Sequence, residues 1–217
     1  MTRSVIWDMD GVLADSGQAH FAAWQALFDE MGLAMSWQQF ADTFGMSNIP
    51  ILRVCLGDAR PLTELESMAA RKEALFREIM PEYVTILPGV EDWLDYARAQ
   101  GYRQIVASSG EMANIAAVIS TLGIGNYFQG ILSGAFMPKS KPDPTIFLYA
   151  AAAAGAEPDQ CVVIEDGIVG IEAAVRAGMR SIGVTTTHPA DKLEQATIVL
   201  NRLSDRSPDL LDQLLIK

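Results

Sequence analysis

Ser4-Val5-Ile6-Trp7-Asp8-Met9-Asp10-Gly11 is a short apolar run broken off by two carboxylates and a glycine. Val5, Ile6 and Trp7 favour a strand, and Gly11 permits a sharp exit from it. The pattern returns along the chain: Gln104 to Ala107 gives way to Ser108-Ser109-Gly110, Cys161 to Ile164 gives way to Glu165-Asp166-Gly167, and Arg180 to Val184 ends in a threonine triplet. Near-continuous apolar strands separated by helical patterns predict an α/β fold with a parallel sheet covered on both faces. In such sheets functional groups collect at the carboxyl ends of the strands, near a topological switch point. The acidic and hydroxyl residues just named stand at those ends.

Directly after the first strand the alternation stops. Helical patterns follow one another over Gln18 to Met31, Ser36 to Thr43, Ile49 to Leu56 and Leu62 to Met80. The expected organisation is a Rossmann-like, doubly wound core (1–16 and 82–217) with an inserted α-helical cap (17–81). Pro88-Gly89 marks the return, with Pro88 suited to the first turn of the next helix and Gly101 to its C-terminal end. The Ala-rich stretch Ala150 to Ala156 continues Pro144-Thr145-Ile146-Phe147 in register and reads as a packed helix.

The 217 residues suffice for a core domain with a smaller appended one. A formal charge of -11 repels nucleic-acid backbones and anionic lipid surfaces, so neither is an expected partner. Cys55 and Cys161 lie far apart and read as buried apolar residues in a reducing compartment, and the two histidines, His20 and His188, form no zinc pattern. Val5-Ile6-Trp7 is too short for a secretory segment and no stretch reaches the length of a membrane span. Cytoplasmic residence is the expectation. Oligomeric state is not legible.

Asp8 and Asp10 are two apart, so continued strand geometry would point both carboxylates the same way. Such a pair calls for a cation or a shared proton. A lone Asp-x-Asp-Gly is better explained as a turn, Ser108-Ser109-Gly110 as an N-cap and Glu165-Asp166-Gly167 as a strand-to-helix turn. An EF-hand is excluded because its glycine belongs at position six, whereas Gly11 is at position four. Gly167-Ile168-Val169-Gly170 lacks the dinucleotide-binding form, and no P-loop is present.

Taken together these segments resemble the haloacid dehalogenase superfamily. Asp8 to Ser16 is similar to its first motif almost letter for letter, Ser108 after Ile105-Val106-Ala107 to the second, Lys141 in Lys141-Pro142-Asp143-Pro144 to the third and Glu165-Asp166 to the fourth. The helical insert is similar to the cap of the β-phosphoglucomutase-like branch. The resemblance implies Asp8 as a nucleophile that becomes an aspartyl-phosphate and Asp10 as the general acid and base. It further implies Ser108, with Ser109, as phosphate ligands, and Lys141 as the charge partner, Lys139 being the competing lysine. Mg²⁺ is the implied cofactor, held by Asp8, the Asp10 carbonyl and Asp166, with Glu165 either a ligand or a supporting residue.

In the cap, His20 and Trp24 lie one turn apart on one helix face. They match a His-Phe-x-x-Trp of the mutases, and Phe44-Gly45-Met46-Ser47-Asn48 and Arg71-Lys72-Glu73 resemble the branch more loosely. Lys72 is a candidate substrate contact, its alternative being a solvated helix lysine. A phosphosugar mutase needs a second basic cluster for a distal phosphate. Asn48 stands where the branch offers an arginine, and Ser109-Gly110-Glu111 replaces its Ser-Lys pattern. The expected activity is therefore hydrolysis of small phosphorylated metabolites, with a mutase second and a non-catalytic phosphometabolite-binding protein third.

Overall fold

The computed structural model describes residues 1–43 and 46–215. Its elements run β1 (Ser4–Trp7), β2 (Ala14–Asp15), α1 (Gly17–Glu30), α2 (Trp37–Thr43), α3 (Asn48–Leu56), α4 (Leu62–Ile79), β3 (Thr85–Ile86), α5 (Val90–Ala99) and β4 (Arg103–Ser108). They continue with α6 (Met112–Thr121), β5 (Gly130–Ser133), α7 (Thr145–Ala154), β6 (Cys161–Glu165), α8 (Ile168–Arg176), β7 (Arg180–Val184), β8 (Ile198–Leu200) and α9 (Leu210–Leu215). Two compact units result, one from Met1–Asp15 with Thr85–Lys217 and the other from Ser16–Val84.

The first unit is a six-stranded sheet in the order β5-β4-β1-β6-β7-β8, every pairing parallel. Strand order reverses at β1, flanked by β4 and β6, so the carboxyl ends of these three strands form the switch point. On one face Ile6, Ile105 and Val163 pack against Phe147, Ala150 and Ala151 of α7, all buried. The small alanines bring that helix close to the sheet. Burying each large aliphatic or aromatic side chain contributes about 1.5–3 kcal/mol. Polar groups inside are satisfied: Trp7 Nε1 donates to Gln104 Oε1 at 3.1 Å, and Gln104 Nε2 donates to the Leu94 carbonyl at 3.0 Å.

Pro88 lies outside α5, whose N-cap is Gly89 at φ 89°, and not in its first turn as expected. A Cβ on Gly89 would fall 2.3 Å from the Ser204 backbone nitrogen, so the close approach of that segment requires glycine. The edge strands β5 and β8, and the two-residue ribbon β2–β3, add to the strands expected from the sequence.

The C-terminal helix α9 is tied to the start of the chain by Asp212, which accepts hydrogen bonds from Arg3, Tyr96 and Tyr102. Burial raises the Asp212 carboxyl, but these three donors outweigh it and hold the group below its ordinary value of 3.8. A depressed carboxylate contributes stability that is present above the unfolded value and is lost as pH falls through the folded one. Asp212→Ala is expected to cost about 1–2 kcal/mol at pH 7, a partly exposed cluster being discounted for solvent screening. The difference from wild type should shrink below pH ~4. Urea unfolding of both proteins across that range checks this; a pH-independent difference would refute the ion-pair account.

In the second unit the buried side chains of α1 and α4 include Trp24, Leu27, Leu65 and Phe76. Asn48 opens α3, while Phe44 and Gly45 of the same sequence pattern lie outside the described residues. No helix among the described residues is long and apolar enough to cross a membrane.

Candidate active site

The strand β1 ends at Trp7, and the Asp8 N–H extends the ladder by one bond, donating to the Ile164 carbonyl at 3.0 Å. Beyond it the chain turns tightly: the N–H groups of Leu13 and Ala14 both donate to the Met9 carbonyl, and Gly11 N–H donates to the Ala14 carbonyl at 2.8 Å. Strand geometry therefore does not persist through Asp10, and the same-side argument for the two carboxylates does not hold. What places Asp10 is the turn. Gly11 sits at φ 76°, and a Cβ on it would fall 1.9 Å from Asp166 Oδ2. Glycine is thus required twice over, for its backbone conformation and for the carboxylate beside it.

Lys141, from the loop before α7, has a buried side chain that bridges two carboxylates: its Nζ donates to Asp8 Oδ1 at 2.5 Å and to Glu165 Oε1 at 2.6 Å. Lys139 is turned to solvent and pairs with Asp143 at 3.4 Å. Asp143 also accepts the Thr145 N–H at 3.1 Å, securing the start of α7 and with it the lysine loop. Glu165 is fully engaged, since its Oε2 accepts the Gly167 N–H at 2.7 Å while Oε1 meets Lys141. Its carboxylate rests on Gly170 of α8, where a Cβ would fall 1.8 Å from Oε1.

Ser108 is buried at the end of β4, with its Oγ accepting the Gly110 N–H at 3.1 Å. Ser133, at the end of β5, donates to the Gly110 carbonyl at 2.6 Å and so fastens the same turn. Ser109 is exposed on that turn. Asp166 is buried, and its Oδ2 accepts a hydrogen bond from Thr187 Oγ1 in the bend after β7.

Electrostatics sharpen the picture. Burial pushes the Asp8 carboxyl up to about 7; Lys141 opposes this and Glu165 adds to it. Burial, then Glu165 and Asp8, raises Asp166 well above the carboxylate range. The Lys141 ammonium loses by burial but is held above its usual value by Asp8 and Glu165. Two carboxylates, Asp8 and Glu165, share the Lys141 ammonium, and Asp166 adds a third carboxyl that interacts with both, a deficit of positive charge. Oxygen donors with that deficit fit a hard divalent cation. No cluster of three His, Cys, Asp or Glu side chains forms a ready cage among the described residues. Mg²⁺ keeps several waters and takes few protein ligands, so it does not require such a cage.

The helical unit gathers His20, Trp24 and Lys72. Lys72 Nζ donates to Glu73 Oε1 at 3.0 Å, lies 2.9 Å from His20 Nδ1 and sits 5.5 Å from the Trp24 ring centroid. It is 2 % exposed, so it is not a solvated helix lysine. His20 stacks on Phe76 at 4.1 Å, and accepting at Nδ1 leaves its Nε2 as the protonated nitrogen. Asn48 Nδ2 donates to Glu73 Oε1 at 2.6 Å. Arg71, by contrast, is half-exposed and pairs with Glu30 and Glu78.

Gly170, Ser133 and Thr187 were not candidates from the sequence. Thr187 left one signal, its place in the threonine triplet at a strand end, whereas Gly170 and Ser133 act through contacts that no local pattern encodes.

Residues 2–178 match the family model for haloacid dehalogenase-like hydrolases. The chain is 30% identical to a β-phosphoglucomutase of Bacillus subtilis, covering 97% of this chain and 94% of that protein. It is 29% identical to a fructose-1-phosphate phosphatase of Escherichia coli, covering 83% and 95% respectively. The crystal structure of a β-phosphoglucomutase from Clostridium difficile superposes with a TM-score of 0.85 at 26% identity, over 99% of this chain and 97% of that one.

Proposed function

The chain belongs to the haloacid dehalogenase-like hydrolases, and from that premise we propose that it is a Mg²⁺-dependent phosphatase of small phosphorylated metabolites, working through an aspartyl-phosphate on Asp8. One observation carries the reading: the Lys141 ammonium is paired with both Asp8 and Glu165, at strand ends where Ser108 and Asp166 are also buried. With Oδ1 held by Lys141, Oδ2 is the oxygen that attacks phosphorus. The bond from phosphorus to the leaving oxygen breaks as Asp10 delivers a proton to it. Water then attacks the phosphorus, Asp10 takes a proton back, and Asp8 is released. Ser108 Oγ–H and backbone N–H groups of its turn stabilise the equatorial oxygens. Mg²⁺, held by Asp8, the Asp10 carbonyl and Asp166, would supply positive charge to the transferring phosphoryl group. Glu165 serves as the anchor of Lys141, both its oxygens being engaged.

We assign residues 17–81 as a cap that selects the substrate, with His20, Trp24 and Lys72 as its contacts. The likeness to the Bacillus β-phosphoglucomutase favours a mutase as second reading. Hydrolysis is preferred because the cap ammonium is already neutralised by Glu73, and Asn48 is bonded to that same carboxylate. A distal phosphate would find no uncompensated cation in this cluster. Incubation with a panel of sugar, polyol and small-acid phosphates should release inorganic phosphate with Mg²⁺ and not with EDTA. With β-glucose 1-phosphate and a trace of the bisphosphate, efficient formation of glucose 6-phosphate without free phosphate would reverse the choice. Absence of turnover on every ester would favour a binding protein.

A further inference from the structure

The two oxygens of the Asp166 carboxylate are not equivalent. Its Oδ2 accepts the Thr187 hydroxyl and lies against Gly11, where an ideal Cβ would stand 1.9 Å from Oδ2 but 3.3 Å from Oδ1. The Thr187 bond engages Oδ2 and leaves Oδ1 out. Parallel pairing of β6 and β7 explains how residues 21 apart meet, because both lie just past neighbouring carboxyl ends of the sheet. The geometry points to Thr187 as a positioning residue: it pins Asp166 through Oδ2 and presents Oδ1 to the divalent cation. This rests on the reading of Asp166 as a metal ligand.

The need for such a pin follows from the charges around it. Glu165 and Asp8 repel Asp166, and an aspartate has staggered alternatives into which repulsion can turn it. A donor on the far oxygen opposes that rotation before the cation arrives, so less ordering remains to be done on binding. Hydrogen-bond partners of metal ligands commonly set affinity by 10–100-fold. Because Thr187 is exposed, water can replace part of its bond, and the effect belongs at the lower end.

Mn²⁺ binding to the substrate-free protein, followed by electron paramagnetic resonance, gives a readout that does not pass through turnover. Thr187→Val should raise the Mn²⁺ dissociation constant roughly tenfold. Thr187→Ser should restore it to near the wild-type value, and the unfolding temperature of the metal-free Val variant should match wild type. Wild-type affinity in the Val variant, or loss in Ser and Val alike, would overturn the proposal. Asp166→Asn separates the two layers of inference. If it binds Mn²⁺ as well as wild type does, the ligand reading falls and takes the proposal with it; if it alone loses affinity, only the role of Thr187 falls.

Discussion

Asp8→Asn is expected to reduce phosphate release by on the order of 10⁴-fold or more, the range seen when a covalent nucleophile is removed. The amide has nearly the shape of the carboxylate, so packing around a residue only 7 % exposed is conserved, and Lys141 keeps its 2.6 Å bond to Glu165. The loss should therefore be chemical and not structural. Acid-quenching during turnover of a radiolabelled phosphate ester should find covalent label on the wild type and none on the variant. Two outcomes would sink the assignment: a variant that retains full turnover, or a variant that still carries label. Burial raises the Asp8 carboxyl to about 7 against the pull of Lys141, and positive charge beside it favours the ionised, nucleophilic form.

The central strands and all four helices of the inserted segment were legible because they are long or strongly apolar. Ser4–Trp7 and Arg180–Val184 are strands over the residues expected, and Leu62–Ile79 differs from its reading by one residue. The strand β5 escaped because Gly130–Ser133 is only half-buried and carries just two large apolar residues, Ile131 and Leu132. The strand β8 has three residues at the sheet edge. Such strands are formed by neighbours, not by their own pattern. The candidate site divides in the same way. Asp8, Ser108, Glu165 and Asp166 announce themselves by breaking apolar runs, and Lys141 by the motif around it. Gly11 was read for its turn, but its second constraint, the carboxylate of Asp166, comes from just past a strand more than 150 residues away in sequence and is visible only in three dimensions.

Lys141→Met is the test of what the buried lysine does for the fold as well as for the chemistry. Methionine fills nearly the same volume and can pack near Phe147, whose ring centroid is 5.0 Å from Nζ. What it removes is the ammonium that bridges Asp8 and Glu165. Deleting one partner of a buried ion pair leaves the other charges uncompensated, which costs about 3–5 kcal/mol. The metal-free variant should accordingly unfold at a markedly lower urea concentration than metal-free wild type. Saturating Mg²⁺ should recover part of the difference, since the cation binds the folded form and brings positive charge to the same carboxylates. Activity should nevertheless stay down by roughly 10²–10³-fold with Mg²⁺ present, because the ammonium bonded to Asp8 Oδ1 is gone. Unfolding of the variant at the wild-type midpoint would mean that Asp8 and Glu165 do not carry their charges together, and the ionic account of the site would have to be abandoned.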